Sequence, residues 1–469
     1  MDKYFLTSRY SNDIYKLIVD ACFKDFKKNN KNKKLKILKI EITNNYDFGF
    51  LLYFFLMVFS NIFNLRKKII YKKYKNVNYG RYLTAYTLRD VKCYESNFFF
   101  YKNLLINAFV VSKYFYAADK YLKICNSKSL YLDHCMYLNG IFYEYFRDNE
   151  YTIYTNNYPQ DLIRINPSSF KINFDDALRI KKTKKKLNKF QIKKTRLLTK
   201  KIFKNSGSLA NWMNWLENNF KKINYQNLNS YDYIIYVHAF GDAQLGWGVD
   251  GFVSAYDWLK FTIQKLTKKN KKVLVKAHPN FFLKRYKYFG QEKKIFNNLV
   301  EEYKNNKNIF FINDPINNLE LLRLLNKKCI VITHHGSVGL EMAHNNFKII
   351  SSTCNFYEKK FKVCNAWSSK KEYIKLLEKE WSELKSANKE HLYSLTHDLL
   401  LSKKGYFGGN YHENVLGRYI KKKFKNKYNK KGKLFDKENM YLIKFYNKLN
   451  LREKEKISKN IKLDIQYVN

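Results

Sequence analysis

The sequence predicts an α/β protein of two Rossmann-like domains facing a cleft, followed by a helical C-terminal extension. Three observations predict it. β-Branched runs alternate with helical stretches through the second half of the chain, a βαβ unit stands in the first half, and a dense basic run separates the two. In the second half, strands are expected at 233–237, 273–276, 309–312, 329–333 and 348–351. Helices are expected between them through Tyr256-Asp257-Trp258-Leu259 and around 319–325, and parallel strands need such crossovers. In the first half, 130–132 and 151–154 are expected as strands flanking a helix over 136–147, with an earlier strand at 35–42. Residues 71–125 are aromatic-rich and give no clear elements, and 156–169, with Pro159 and Pro167, are expected to be irregular. The expected division is a domain at 1–180, a basic linker at 181–229, a second domain at 230–370, and helices with a Lys-rich tail at 371–469.

Length and composition agree with two cores. A chain of 469 residues exceeds one ordinary core, and 45% hydrophobic content excludes a disordered chain. Lys and Arg number 89 against 40 Asp and Glu, a net charge of +49. Most of the excess is Lys and travels with Asn, Ile, Tyr and Phe, which is the mark of A/T-rich coding with lysines on solvated faces. The charge also favours anionic lipid or polymer. No zinc finger or aromatic RNA-binding signature accompanies it, so no nucleic acid is expected.

Seven Cys, at 22, 93, 125, 135, 329, 354 and 364, show neither a Cys-x-x-Cys pair nor metal-type spacing, which fits a reducing cytosol. The polar start Met1-Asp2-Lys3 gives no signal peptide. One segment complicates a soluble reading. Residues 48–65 are strongly apolar and are followed by Arg66-Lys67-Lys68, so they are expected either as a buried helix or as a peripheral contact with an anionic membrane. The expected location is cytoplasmic, and peripheral on the inner face of the cytoplasmic membrane if residues 48–65 make that contact.

The chemistry concentrates at two strand ends. The run Val273-Leu274-Val275 stops at His278-Pro279-Asn280, where proline ends a ladder. The run Ile330 to Thr333 is followed by His334-His335-Gly336-Ser337 and a helical stretch from Val338. A Gly-Ser turn opening a helix aims free N–H groups at one point, which suits a phosphate, although Ser is also an ordinary N-cap. In open α/β sheets ligands bind at the carboxyl ends of strands, where both motifs fall.

The order of an Asp-bearing loop (His238 to Gln244), a Tyr-Asp-Trp-Leu helix, a His-Pro-Asn strand end and Gly-Ser-Val-Gly-Leu-Glu resembles bacterial capsule polysaccharide biosynthesis proteins, including Kdo transferases. The match covers about residues 230–355, with a weaker echo at 134–154. The resemblance implies a GT-B-like fold and a metal-independent glycosyltransferase. It would move a sugar, Kdo or another acidic sugar, from a nucleotide donor, CMP-linked in that case, to a capsular or surface polysaccharide or its glycolipid precursor. No cofactor beyond the nucleotide-sugar substrate is implied. Asp175-Asp176 lacks the spacing of an Asp-x-Asp metal motif.

Glycosyl transfer needs the leaving phosphate held and, in inverting chemistry, an acceptor proton removed. His278 and Asp242 are the expected catalytic groups, although Asp242 could equally hold an Asx turn. Asn280, His335, Gly336, Ser337, Val338, Ser351 and Ser352 are the expected donor contacts. The resemblance adds Glu341 as a ribose ligand, a residue that could instead merely answer the helix dipole. His134 is expected on the acceptor side. Two other readings remain: a GT-B-related sugar-nucleotide epimerase, and a non-catalytic capsule assembly or export factor.

Overall fold

The computed structural model describes residues 3–8, 14–29, 35–90, 92–125, 127–132, 135–157, 161–165, 187–206, 225, 227–241, 244–246, 248–282, 287–355, 362–400, 450, 452–453 and 465–468. The chain forms two compact units. One comprises Met1–Leu83, Ile106–Leu178 and Leu399–Asn469, and the other Thr84–Leu105 and Arg179–Asp398. Each is built on a six-stranded, Rossmann-like sheet.

The first unit contains β1 (Lys3–Thr7), β2 (Leu35–Lys39), β3 (Ser129–Leu132), β4 (Thr152–Asn157), β5 (Asp161–Ile165) and β12 (Ile465–Val468). Their order is β12-β5-β4-β3-β1-β2, and every pairing is parallel except β4 with β5. The helix Ile14–Lys28 lays Val19, Cys22 and Phe26 onto Phe5, Tyr131 and Tyr154 of the sheet. The rings of Phe26 and Tyr154 lie 5.8 and 5.7 Å from that of Phe5. A long parallel sheet covered by helices needs large apolar side chains on its faces, and these supply them.

Several sequence expectations change here. The stretch expected to be irregular, 156–169, contains β5, which returns antiparallel beside β4 with Ile165 opposite Ile153 and Asp161 opposite Asn157. The unassigned stretch at 71–125 is helical, with helices Tyr79–Thr87, Lys92–Glu95 and Asn97–Ile124. In the longest of these, Phe100, Leu104, Ala108, Val111, Phe115 and Ala118 are fully buried at the 3.6-residue period. Further aromatics on its other faces blurred that period in the sequence. Beyond residue 370 the helices Lys370–Glu378 and Lys389–Leu400 follow, and the tail adds β12 as an edge strand.

The second unit contains β6 (Tyr233–Tyr236), β7 (Val273–Lys276), β8 (Ile309–Ile312), β9 (Ile330–Thr333), β10 (Ile349–Ser352) and β11 (Asn365–Trp367), all parallel. Their order is β11-β10-β9-β6-β7-β8. From β6 the chain winds outward through β7 and β8, then returns to β9 and winds the other way. The order therefore reverses between β6 and β9, the switch point where open α/β sheets take ligands. Residues 84–105 belong to this unit through Tyr94, whose hydroxyl donates to Phe240 O and whose ring lies 5.9 Å from that of Phe240. An ion pair of 3.4 Å joins Glu95 to Lys294.

Gly140 opens a helix of the first unit, Asn139–Asp148, and a Cβ there would meet Tyr82 Cε1 at 2.0 Å. The Tyr82 ring cannot retreat freely, because its hydroxyl donates to buried Glu144 at 2.7 Å. Gly140→Ala is therefore expected to destabilise the first unit by about 1–3 kcal/mol, seen as a lower midpoint in thermal unfolding of the full chain.

Candidate functional site

Strand register sets up the site. Lys276, Tyr236, Thr333 and Ser351 are successive partners across β7, β6, β9 and β10. The ladder therefore aligns the last rungs of these strands, and chain leaving each one starts at the same level. Two residues past β6, β7 and β9 stand His238, His278 and His335. Equal offsets from aligned strand ends bring the three imidazoles together. The ring of His238 lies 3.6 Å from that of His335 and 5.7 Å from that of His278. The closer pair straddles the β6/β9 switch point.

A chain of hydrogen bonds stands behind His335. Its Nδ1 lies 2.6 Å from Nδ1 of His334, and Nε2 of His334 lies 3.0 Å from Asp250 Oδ2. Burial alone would raise the Asp250 carboxyl, but adjacent His334, a hydrogen bond from Ser352 Oγ and the Phe252 N–H outweigh it and hold the pKa below the usual range. An ionised carboxylate only accepts, so Nε2 of His334 carries a hydrogen. In singly protonated His334 the Nδ1 is then an acceptor, and the hydrogen between the two rings belongs to Nδ1 of His335. That leaves Nε2 of His335 with a lone pair. This nitrogen is buried and has no hydrogen-bond partner among the described residues. Asp250 and His334 thus fix His335 in the tautomer of a base, and a proton arriving at Nε2 can be relayed to His334 beside the carboxylate.

His278 is set the opposite way. The Asn280 N–H donates to its Nδ1 at 3.2 Å, so the neutral ring carries its hydrogen on Nε2 and is a donor there. By accessible surface His278 is half-buried, yet its surroundings are dense enough to depress its pKa well below 6.5. Burial is the main cause, and His238 and Lys276 add to it. His335 is lowered likewise, by burial first and then by its three histidine neighbours. Lys276, buried at the end of β7, is pushed down to about 8 by burial, against the opposing pull of Glu341.

Gly336 follows with φ of +140°, a conformation open to glycine, and a Cβ there would meet nothing within 4 Å. The space beside the Gly336 backbone is thus open. Ser337 stands at the N-cap of the helix Val338–His344, but its backbone is helical and its hydroxyl makes no capping bond. Instead its Oγ donates to Glu341 Oε1 at 3.0 Å, while Asn318 Nδ2 donates to Oε2 at 3.1 Å. Glu341 is buried, and these described partners place its carboxylate behind the turn, bracing Ser337. Val338 is half-buried at the helix start.

Ser351 and Ser352 are fully buried at the end of β10 and act as braces. Ser351 Oγ donates to His334 O at 3.3 Å, and Ser352 Oγ to Asp250. The structure thus brings His278, Asn280, His335, Gly336 and Ser337 to one sheet edge, with Glu341, Ser351 and Ser352 behind it. Asp242 and His134 lie outside the described residues. Among the described residues, no three His, Cys, Asp or Glu side chains converge as metal ligands do.

Sequence reasoning missed Asp250, His238 and Lys276 as site residues. The repeated offset of a histidine two residues past each β run was a usable signal for His238. Asp250 had none, because a single acid in a Gly-rich loop gives no hint of its partner 84 positions on. Buried Gln244 anchors that loop, donating to Ala239 O at 3.1 Å and accepting from the Ala255 N–H at 2.8 Å. Gln244, Asp250, Ser254, His334, His335 and Cys354 share a small pocket.

Two outcomes follow from this geometry. His278 and His335 bind protons less readily folded than unfolded, so below about pH 6.5 the unfolded chain takes up more protons and stability falls as pH falls. Thermal unfolding between pH 7.5 and 5 should show a loss of up to about 1.4 kcal/mol per pH unit for each of these two imidazoles, and the combined His278→Gln, His335→Gln variant should show a shallower slope. In histidine-selective ¹⁵N NMR, His335 should carry its hydrogen on Nδ1, and Asp250→Asn should abolish that preference. A His335 protonated on Nε2 in the wild type would overturn the assignment.

No family model matches this chain, and no curated protein does. Among solved structures it is similar to the β-Kdo 2,4 transferase KpsC of Thermosulfurimonas dismutans, at 12% identity and a TM-score of 0.34, over 57% of this chain and 78% of that one. It is also similar to the UDP-GlcNAc 2-epimerase of Methanocaldococcus jannaschii in complex with UDP-GlcNAc and UDP, at 13% identity and a TM-score of 0.27, over 84% of this chain and 98% of that one. A second structure of that epimerase gives 12% identity and a TM-score of 0.26 over the same shares.

Proposed function

We propose that this protein is a glycosyltransferase moving a sugar, Kdo or another acidic sugar, from a nucleotide donor to a growing capsular or surface polysaccharide or its lipid-linked precursor. The observation that carries the reading is the convergence of His238, His278 and His335 with the open Gly336-Ser337 turn at the β6/β9 switch point. The donor phosphate would lie against Gly336, Ser337 and Val338, with Asn280 beside it, while His335, expected among the donor contacts, is set by its tautomer to take a proton instead. Nε2–H of His278 would donate to the phosphate as the bond from anomeric carbon to phosphate oxygen breaks. Buried Lys276, whose charge acts on His278, would add positive potential there.

The acceptor hydroxyl forms the new bond to the anomeric carbon, and its proton would pass to Nε2 of His335. The Nδ1 proton of His335 would shift to His334, stabilised by Asp250. Asp242 remains a proposed carboxylate of the same site and His134 a proposed acceptor contact. Ser351, Ser352 and Glu341 support this machinery from behind, and a ribose contact by Glu341 would require exchange of its present partners. The scheme calls on no metal.

CMP-, UDP- and GDP-sugars incubated with wild type and variants, read by released nucleotide, test the reading. One donor should be turned over in the presence of acceptor. His278→Ala should lower turnover by about 10²–10³-fold, and His335→Gln by about 10²–10⁴-fold. Product from a donor alone would point to an epimerase. Full surface-polymer formation with His278→Ala, and none on deletion of the protein, would point to an assembly factor. Absence of any nucleotide-sugar effect on thermal unfolding sinks the proposal.

A further inference from the structure

The helix Phe48–Ser60 of the first unit is apolar on two opposite faces. Phe50, Phe54 and Met57 are buried in the unit, at the i, i+4, i+7 spacing of one face. On the other side Phe48, Leu52, Leu56 and Phe59 are 75, 65, 61 and 73% exposed, and Phe63 just beyond the helix is 96% exposed. Five large apolar side chains open to solvent on one short segment are no scatter of single surface residues. Phe109, 40% exposed on the helix Asn97–Ile124, extends the patch through ring contact with Phe55 at 6.1 Å.

Charge says what the face meets. From Phe48 to Arg89 there is no Asp or Glu, while Arg66, Lys67, Lys68, Lys72 and Lys73 follow the patch directly. Lys67, Lys68 and Lys73 are exposed. Lys113 sits one helical turn from Phe109, 5.2 Å over the Tyr46 ring. The one acid beside the face, Asp47 at the start of the helix, is mostly buried and paired with Lys75 at 3.0 Å, so an apolar face followed by exposed cations is complementary to acyl chains beneath anionic headgroups. Length fixes the mode of contact. A helix of 13 residues reaches about 20 Å, short of the roughly 30 Å hydrocarbon core, so it cannot span. No helix among the described residues is long and apolar enough to cross a membrane.

We infer that this face docks on the surface of an anionic lipid bilayer, with Phe48, Leu52, Leu56, Phe59 and Phe63 entering the headgroup boundary and the following lysines on the phosphates. The contact is independent of the chemistry at the β6/β9 site. It is tested without any nucleotide, by co-sedimentation of the full chain with vesicles of phosphatidylserine and phosphatidylcholine or of phosphatidylcholine alone. Wild type should bind the anionic vesicles, release as salt rises, and bind the neutral ones far less. The exposed-site variant Leu56→Glu, Phe59→Glu should retain its thermal midpoint and lose at least tenfold in partitioning. Each of Lys67→Gln, Lys68→Gln and Lys73→Gln should lose about fivefold. The inference is overturned if wild type ignores anionic vesicles or if the Glu variant binds as well as wild type. It is equally overturned if wild type sediments as a lipid-free dimer that the same variant dissociates, because the face would then be covered by a second copy.

Discussion

The parallel pairing of β6 with β7 on one side and β9 on the other is the constraint from which the second unit's chemistry follows. Because these ladders end level, chain leaving each strand emerges at one height, and the histidine two residues past β6 meets those two residues past β7 and β9. A slip of one residue in β6 would move His238 by about 3.3 Å and turn its alternation inside out. The site is therefore held by backbone hydrogen bonds of a central sheet and not by its loops. Loops carry the reactive groups, while the strands decide where they are.

Around that edge the buried polar groups come in mutually dependent sets. Asp250 is stabilised by His334 and Ser352, and Ser352 also accepts the Cys354 N–H at 3.0 Å. Glu341 is held by Ser337 and Asn318. Removing one partner from such a set leaves a desolvated group, which costs more than the bond itself contributes. The two sets differ in purpose. The Asp250 set settles on which nitrogen His335 carries its hydrogen, whereas the Glu341 set fixes the turn at Gly336-Ser337.

Much of the second sheet was legible because its strands are short, β-branched and buried on both faces, so Ile234-Ile235, Val273-Leu274-Val275 and Ile330-Val331-Ile332 stand out. His278 and the Gly336-Ser337 turn were legible for the same reason, as interruptions at strand ends. Other features were not. The helix Asn97–Ile124 hid its buried stripe among aromatics such as Phe98, Phe99 and Phe109 that stay exposed. Ser351 and Ser352 read as ligand groups, but alternation along β10 says nothing of whether a strand end is capped by other chain. Asp250 was invisible because its meaning lies in a contact with His334, far along the sequence.

The way the units share the chain bears on how the protein is made. The first unit takes its edge strand β12 from residues 465–468, after the whole second unit has been written into the chain. The second unit, in turn, takes residues 84–105 from within the first. On a ribosome the first sheet must wait with β5 unpaired on one side until residues 465–468 emerge, exposing an edge that other chains could join. Neither unit can be cut out as one continuous fragment, because each takes chain from beyond a stretch of the other.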